Sequence, residues 1–294
     1  MPRLSVVIAT KDRKRFLETA LASLEQQVIA EPFEVIVVDN GSSDGTQEVI
    51  ERFSGLIPVR GVREDEPNRG LARNRGVAVA RGEIVVFCDD DVVLPHDWLA
   101  THLRAHEESN GEAFAVTGPI INVPSYDDRP LPTPKNFSRA FFCTCNVSVP
   151  RAKLEEVGGF DETFDLYGWE DTELGARLRD AGVQRRFIWR AFLWHIKPPD
   201  AETLDAQLRR AAEKGRMAAR YVRKRPSRDA ILATGAFAIN RWKGRLLTPA
   251  PVRALLAGAL EAGRVPRFLE GFVRAQLLDG VYLSEMEREF RSMP

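Results

Sequence analysis

Three consecutive aspartates, Asp89, Asp90 and Asp91, follow the apolar run Ile84-Val85-Val86-Phe87-Cys88. Adjacent carboxylates repel one another unless a cation lies among them. The carboxyl end of a parallel strand is where open α/β sheets bind ligands, and alternation along the strand directs Asp89 and Asp91 the same way. We therefore expect this outer pair to hold Mn²⁺ or Mg²⁺, which prefer oxygen ligands and would neutralise a diphosphate. A solvated acidic turn is the alternative interpretation.

Two further charged residues lie where the same sheet would end. Asp39 follows the run Val35-Ile36-Val37-Val38 and is placed to accept hydrogen bonds from a base or a ribose. Arg73 belongs to a segment that opens the next helix, where a planar guanidinium and a helix N-terminus both suit phosphate oxygens. An ordinary exposed arginine is the alternative. The first strand is not followed by Gly-x-Gly-x-x-Gly, which argues against a standard dinucleotide-binding domain.

The pair Glu170-Asp171 follows Gly168-Trp169 at a predicted helix start. One of two adjacent acids can be buried there while the other is exposed, and the positive helix end favours the ionised carboxylate that a general base requires. Acidic first turns also simply stabilise helices. His195 lies in the apolar run Phe192-Leu193-Trp194-His195-Ile196 and is either a core residue or a further metal ligand.

The elements that position these residues alternate along the first hundred residues. Short β-branched runs predict strands, and segments of helical period between them predict helices, as in a parallel sheet covered by helices. The predicted strands are 4–9, 34–38, 57–62 and 83–88, and the predicted helices are 13–27, 44–53 and 71–80. The strands are almost continuously apolar, which predicts burial on both faces of the sheet.

The alternation ends after residue 110. Five prolines predict an irregular, mobile loop over 119–138 that closes near the site: Pro119, Pro124, Pro130, Pro132 and Pro134. A strand over 141–149, a short helix from Pro150, a turn at Gly158-Gly159, a helix over 170–181 and strands at 184–189 and 192–195 complete this part. From 200 onward, helical spacing broken by prolines predicts three or four short helices.

Pro198-Pro199 is the predicted boundary between a catalytic domain, 1–199, and a helical C-terminal region, 200–294. Charge supports this division, since residues 1–200 carry 24 Lys and Arg against 32 Asp and Glu, whereas 201–294 carry 18 against 10. Residues 209–228 hold nine basic residues and one acidic residue. We expect them either to pack on the catalytic domain or to contact an anionic membrane surface.

The three cysteines, Cys88, Cys143 and Cys145, lie in apolar stretches and do not form a disulfide framework. With no signal-peptide pattern and no apolar run near the ~18 residues that span a bilayer, the sequence favours a cytoplasmic protein. A peripheral position at the inner face of the membrane fits the basic segment. Nothing in the composition points to nucleic acid as a partner.

Taken in order, five segments resemble the inverting family 2 glycosyltransferases of the GT-A fold. They are Val6–Arg13, Val38–Thr46, Ala72–Asn74, Asp89–Asp91 and Gly168–Asp171, and the resemblance covers about 4–196. It implies an α/β fold of GT-A type, in which helices flank a nucleotide-binding, Rossmann-like mixed sheet, with the C-terminal helices as an appendage. It also implies a donor of the nucleoside-diphosphate-sugar class, UDP being the first expectation and dTDP or GDP the alternatives.

The resemblance assigns roles to individual residues. Thr10, Asp12 and Asp39 would contact the nucleotide, while Arg73, Asp89 and Asp90 would help to hold the ribose and diphosphate. Asp91, with Asp89 and His195, would bind the metal. Asp171 would be the catalytic base and Glu170 would position the acceptor. Lys11-Asp12 stands where the family more often has Tyr-Asn, which leaves the base contacts open.

The expected reaction is inverting transfer of a sugar to a hydroxyl of a glycan or lipid-linked acceptor, in the synthesis of a cell-surface glycan, polysaccharide or glycolipid. A retaining transferase of the same fold and a catalytically degenerate scaffold or lipid-surface adaptor are the alternatives. A sugar-phosphate nucleotidyltransferase would need a Gly-rich loop where this chain has Ala9-Thr10-Lys11-Asp12-Arg13. The sequence does not specify the sugar, the acceptor or the oligomeric state.

Overall fold

The computed structural model describes residues 1–198, 202–240 and 249–292. The chain forms two compact units. Unit 1 comprises Met1–Asp165 with Glu170–Pro199, and unit 2 comprises Leu166–Trp169 with Asp200–Pro294. The boundary predicted between 199 and 200 lies outside the described residues.

Ten strands form two sheets in unit 1. They are β1 (Leu4–Thr10), β2 (Phe33–Asp39), β3 (Val59–Arg63), β4 (Ile84–Cys88), β5 (Val92–Val93), β6 (Phe114–Thr117), β7 (Ile120–Val123), β8 (Asn146–Pro150), β9 (Gln184–Phe187) and β10 (Leu193–Ile196). The larger sheet has the order β3-β2-β1-β4-β8-β6-β9, and the smaller has the order β5-β10-β7. Strands β1 to β4 are parallel, whereas β8 is antiparallel to both β4 and β6. The carboxyl ends of β1, β2 and β4 therefore share one edge.

Helices cover both faces of the larger sheet. Those of unit 1 are α1 (Lys14–Glu25), α2 (Thr46–Ser54), α3 (Arg69–Val79), α4 (Trp98–Glu107), α5 (Arg151–Glu156) and α6 (Glu170–Asp180). Val6 and Ile8 pack in one apolar cluster with residues of α1 and α4, whereas Val7, between them, packs in another with residues of α3 and α6. Alternate residues of one strand thus enter opposite layers, which confirms the predicted burial on both faces.

The four strands and three helices predicted before residue 89 are confirmed to within two or three residues at their ends. Helix α4 and strand β5 were not predicted. The expectation of an irregular stretch over 119–138 is wrong at 120–123, because Pro119 and Pro124 flank β7 instead of interrupting it, and β7 is an edge strand. The strand predicted over 141–149 begins only at 146, since a turn with an Asn146 N–H to Cys143 carbonyl hydrogen bond of 3.0 Å precedes it.

Helices make up most of the described residues of unit 2. Its helices are α7 (Leu204–Lys224), α8 (Arg228–Thr234), α9 (Ala250–Glu261) and α10 (Arg267–Ser292). Two of them are not short, as predicted, but 21 and 26 residues long, because no proline interrupts α7 or α10. Gly215 allows their close packing, since a Cβ there would lie 2.3 Å from the Tyr282 carbonyl oxygen. Among the residues that the structure describes, no helix is long and apolar enough to cross a membrane.

Candidate active site

Asp90, the middle residue of the triplet, turns into the protein. It is 2% exposed, and its Oδ2 accepts a hydrogen bond of 2.6 Å from the Thr10 hydroxyl. Arg13 Nη1 lies 3.3 Å from its other oxygen. Burial raises the pKa of Asp90 to about 7, although Arg13 and Thr10 oppose the rise. Thr10 and Asp90 therefore bind each other in this structure, and their predicted contacts with a donor stay a prediction.

Asp91 contacts Arg13 and His195. Arg13 Nη2 donates a hydrogen bond of 2.6 Å to Asp91 Oδ2, and His195 Nε2 lies 3.1 Å from Asp91 Oδ1. His195 is fixed from its other side, because its Nδ1 lies 3.0 Å from the amide oxygen of Asn122, its register partner across β10 and β7. That oxygen can only accept, so Nδ1 carries a proton and, in neutral imidazole, Nε2 carries a lone pair. Two facing acceptors 3.1 Å apart need a cation, which is either a proton on Nε2 or a metal ion.

Asp89, Cys145 and His195 form a group that suits a metal ion. One ligand atom of each lies within 4.8 Å of the others. Asp89 follows β4 and Cys145 precedes β8, and the antiparallel pairing of Cys88 with Asn146 makes them neighbours. Asp91 lies outside this group, but its buried Oδ1, which faces His195 Nε2, accepts no hydrogen bond of regular geometry. Carboxylate, imidazole and an unsatisfied carboxylate oxygen at one place fit a divalent cation.

Arg73 joins the triplet to the pair at 170–171. Its Nη2 lies 3.8 Å from Asp89 Oδ1, and its Nη1 lies 3.5 Å from Glu170 Oε1 and 3.8 Å from Asp171 Oδ1. Helix α3 carries Arg73 and packs closely on β1, since a Cβ on Gly76 would lie 2.5 Å from Val7 Cγ1. Acids about eighty residues apart in the chain thus face the same guanidinium.

Asp171 is held from one side by Thr144. The backbone N–H and the hydroxyl of Thr144 donate hydrogen bonds of 2.8 and 3.0 Å to Asp171 Oδ2. Oδ1 of Asp171 and Oε2 of Glu170 are buried without a hydrogen-bond partner. Burial raises the pKa of Asp171 to about 6, with Arg73 opposing the rise, Glu170 adding to it, and Thr144 opposing it. A carboxylate with that pKa and one free oxygen can accept a proton near neutral pH.

Asp39 and Asp12 lie in the loops at the carboxyl ends of β2 and β1. Asp39 Oδ2 accepts a hydrogen bond of 2.8 Å from Arg63 Nη1, and its Oδ1 accepts one from the Ser42 N–H. Asp12 Oδ1 accepts a hydrogen bond of 2.8 Å from the Ser43 N–H, so it joins the two loops. Since β1 pairs in parallel with both β2 and β4, these loops lie at the edge of the sheet that the aspartate triplet follows.

The sequence did not single out several residues that shape this site. Arg13, Arg63, Asn122 and Thr144 bind predicted site residues, and Cys145 lies within 4.8 Å of two of them. Only Thr144 and Cys145 share a loop. The only sequence signal for Cys145 was its place in an apolar stretch, and nothing in the chain marks Asn122 or Thr144 as a partner of a residue far away.

Comparison with known proteins identifies the family of this chain. The model of glycosyl transferase family 2 matches residues 5–154, just over half of the chain. The chain belongs to glycosyl transferase family 2. The predicted family is thereby confirmed. A second model, described as the N-terminal domain of galactosyltransferase, matches residues 129–198, which include Asp171 and His195.

Among family 2 relatives, validoxylamine A glucosyltransferase of Streptomyces hygroscopicus subsp. jinggangensis (strain 5008) is 30% identical over 266 residues. The alignment covers 77% of this chain and 62% of that protein. The chain spans about three fifths of the length of the first curated relatives that it matches, with shares of 62%, 62% and 58%.

Solved structures show the same fold. The mannosyltransferase PcManGT from Pyrobaculum calidifontis, in complex with GDP-Man and Mn²⁺, is 23% identical with a TM-score of 0.66, over 99% of this chain and 87% of that chain. S. aureus TarS 1-349 in complex with UDP-GlcNAc is 18% identical with a TM-score of 0.59, over 100% of this chain and 93% of that chain. The α/β architecture is therefore the GT-A fold, as predicted.

Proposed function

We propose that this protein transfers a sugar from a nucleoside-diphosphate sugar to an acceptor hydroxyl, with inversion at the anomeric carbon. The observation that carries the proposal is the position of Arg73 between Asp89 and the pair Glu170-Asp171. One guanidinium thus marks a single site in which phosphate-binding and proton-accepting groups meet. Family 2 membership supports the same reaction class.

Asp171 is the proposed general base. Thr144 holds its Oδ2, which leaves Oδ1 to take the proton of the acceptor hydroxyl. The acceptor oxygen then forms a bond to the anomeric carbon while the bond from that carbon to the diphosphate oxygen breaks, so one displacement inverts the configuration. Glu170 lies beside Asp171 on Arg73 and is proposed to position the acceptor.

The leaving diphosphate needs positive charge. Arg73 supplies one guanidinium beside Asp89. Asp89, Asp91 and His195 are proposed to hold Mn²⁺ or Mg²⁺, with His195 oriented by Asn122. Such an ion, when bound, would stabilise the negative charge of the departing nucleoside diphosphate. The Mn²⁺ in the PcManGT complex supports this proposal.

The donor and the acceptor are proposed only as chemical classes. Relatives of the same fold bind GDP-Man or UDP-GlcNAc. We keep UDP as the first expectation for this chain, with dTDP and GDP as alternatives, and Asp39 and Asp12 as contacts of the nucleotide. A glycan or lipid-linked acceptor in cell-surface glycan synthesis agrees with relatives such as the chondroitin synthase of Pasteurella multocida (strain Pm70).

A donor screen followed by product analysis tests the proposal. The protein is incubated with UDP-, dTDP- and GDP-sugars and Mn²⁺, and release of the nucleoside diphosphate is measured. The anomeric configuration of the product, read by proton NMR, then separates inversion from retention. If no sugar nucleotide raises the thermal unfolding temperature or is turned over, with or without Mn²⁺, the proposal fails and the scaffold alternative is favoured.

We also propose that the protein is cytoplasmic and that unit 2 binds the anionic inner face of the membrane. The apolar helix α9 has no buried residue, and the start of α10 exposes Phe268 and Phe272 by 84% and 65%. Exposed Arg264 and Arg267 lie beside them. Aromatic side chains next to arginines suit the boundary between lipid headgroups and acyl chains.

The basic residues of 209–228, on which the sequence-based expectation rested, lie mainly on α7. Two of them face acids of α10, with Arg216 2.9 Å from Glu285 and Arg220 3.7 Å from Glu289. Since those charges are partly satisfied within unit 2, we centre the proposed membrane surface on α9 and the first turns of α10.

A further inference from the structure

Cys145 lies beside Asp89 and His195 of the proposed metal site. Neither the family resemblance nor the prediction of site residues included it. Its side chain is 6% exposed, and its sulfur is within 4.8 Å of ligand atoms of both Asp89 and His195. Cys143, two residues earlier, and Cys88 do not belong to this group, and all three cysteines are free thiols.

The position of Cys145 follows from strand pairing. In the antiparallel pair of β4 and β8, Cys88 is opposite Asn146. The next residue beyond β4 is Asp89, and the residue before β8 is Cys145, so the two meet just past the paired ends. His195 on β10 completes the group, and its Nε2 faces the site because Asn122 binds its Nδ1.

The donor atoms decide which ion fits best. A carboxylate oxygen, an imidazole nitrogen and a thiolate sulfur match Zn²⁺ and its heavier analogue Cd²⁺, whereas Mg²⁺ and Mn²⁺ favour oxygen. Asp89, Cys145 and His195 leave a fourth tetrahedral position, which either Asp91 Oδ1 or an outside ligand would fill. A site built only of Asp89, Asp91 and His195 would prefer these ions over Mn²⁺ less strongly and would form no thiolate–metal bond.

We propose that Cys145 is a thiolate ligand of this site, so that the protein binds Zn²⁺ or Cd²⁺ more tightly than Mn²⁺ and the thiophilic ion competes with Mn²⁺. The proposal rests on the proposed function, which places the transfer metal here. Binding converts the thiol to a thiolate and releases its proton to solvent. Zinc would then act as an inhibitor of Mn²⁺-supported transfer.

Cadmium titration tests the proposal directly. Cd²⁺ is added to the full chain, and the ultraviolet charge-transfer band of the thiolate–Cd²⁺ bond is recorded for the unaltered protein, Cys145→Ser and the matched control Cys143→Ser. We expect a band that saturates at one equivalent in the unaltered protein and in Cys143→Ser. Cys145→Ser should lose the band and bind Cd²⁺ at least about tenfold more weakly.

A second titration separates this proposal from the proposed function. Mn²⁺ binding is followed by the loss of the free-ion paramagnetic resonance signal, and Cd²⁺ is then added as a competitor. Displacement of Mn²⁺ from the unaltered protein at a Cd²⁺ concentration at least about tenfold lower than from Cys145→Ser supports the proposal. If Mn²⁺ binds but Cys145→Ser responds to Cd²⁺ as Cys143→Ser does, the thiolate ligand is refuted and the transfer metal stands.

The reverse outcome is equally informative. If Cd²⁺ gives the band through Cys145 but no Mn²⁺ binds, the thiolate site stands and the proposed transfer metal fails. Cys145→Ala is measured in parallel with circular dichroism, so that loss of the band is assigned to the ligand only when the fold is retained. Retention of the band in folded Cys145→Ala overturns the proposal.

Discussion

Asn122 and His195 are register partners across β7 and β10, and the Asn122 amide oxygen lies 3.0 Å from His195 Nδ1. This contact fixes which ring nitrogen is protonated and directs Nε2 to Asp91 Oδ1, 3.1 Å away. A strand that the sequence did not predict therefore orients the imidazole that the sequence did single out. Partners of this kind set the orientation and basicity of metal-binding histidines.

Replacing Asn122 tests that relationship. Asn122→Leu removes the acceptor for Nδ1, so we expect Mn²⁺ to bind about 10- to 100-fold more weakly, as measured by calorimetry. Asn122→Asp restores an acceptor and is the matched control, which should bind Mn²⁺ about as tightly as the unaltered protein. Equal affinities in all three proteins would show that Asn122 does not orient a metal ligand.

Asp171→Asn should stop transfer while leaving the donor bound. Asparagine can still accept the Thr144 hydrogen bonds but cannot take a proton, so we expect kcat to fall about 10²- to 10⁴-fold. Donor and Mn²⁺ affinities, measured by calorimetry, should change less than about threefold, since the proposed metal and phosphate ligands remain. Glu170→Gln is the companion variant, and we expect it to raise KM for the acceptor more than it lowers kcat. Near-normal turnover of Asp171→Asn would reject Asp171 as the base.

The pH profile of transfer should report the Asp171 carboxyl. Its pKa is raised to about 6 by burial, so kcat/KM should fall as the pH drops through about 6 and the base becomes protonated. Thr144→Val removes one donor to the ionised form, so the pKa should rise further and the acidic limb should move to higher pH. Thr144→Ser keeps the hydroxyl and should keep the limb in place. Coincident limbs in Thr144→Val and Thr144→Ser would exclude this role for the hydroxyl.

The same raised pKa has a consequence for stability. The folded protein holds the Asp171 proton more tightly than the unfolded chain does. The free energy of unfolding therefore falls as the pH rises from 3.8 to about 6, and it stays lowered by the full amount above pH 6. At about 1.4 kcal/mol per pKa unit, Asp171→Asn should raise the free energy of unfolding by about 1 to 3 kcal/mol near pH 8. The gain should shrink towards pH 4.

Urea unfolding at several pH values measures this difference. Glu83→Gln is the control for an exposed carboxylate, since the Glu83 side chain is 71% exposed and its ion pair with Arg3 lies at the surface. We expect it to change the free energy of unfolding by less than about 0.5 kcal/mol. A gain for Asp171→Asn that does not vary with pH would show that packing, not ionisation, is responsible.

The proposed membrane surface predicts binding to anionic vesicles. Phe268→Ser combined with Phe272→Ser should weaken binding at least about tenfold in co-sedimentation, because each exposed phenylalanine would bury apolar surface in the lipid. Leu56→Ser, which alters an exposed apolar residue of unit 1, is the matched control and should bind normally. Equal binding to neutral and anionic vesicles would contradict a role for the arginines. Self-association that the double variant abolishes would instead assign the surface to a second copy.

The sequence by itself determined the architecture around the site. Near-continuous apolar runs ending in Asp39 and Asp89–Asp91 predicted buried parallel strands with their acids at one edge, and the structure has them there. This succeeds because strand period, apolar burial and the position of a strand end are local properties. The match of five short segments, in order, also sufficed to predict family 2.

Only the tertiary structure determined which contacts each site residue makes. The three aspartates are alike in sequence, yet their surroundings differ. Asp90 is buried and contacts Thr10 and Arg13. Asp91 contacts His195, and Asp89 lies near Cys145 and Arg73. Thr144, Asn122 and Cys145 reach the site through turns and through pairing between distant strands. Such contacts depend on which distant segments pack together. The residue pattern within one segment does not specify its distant partners.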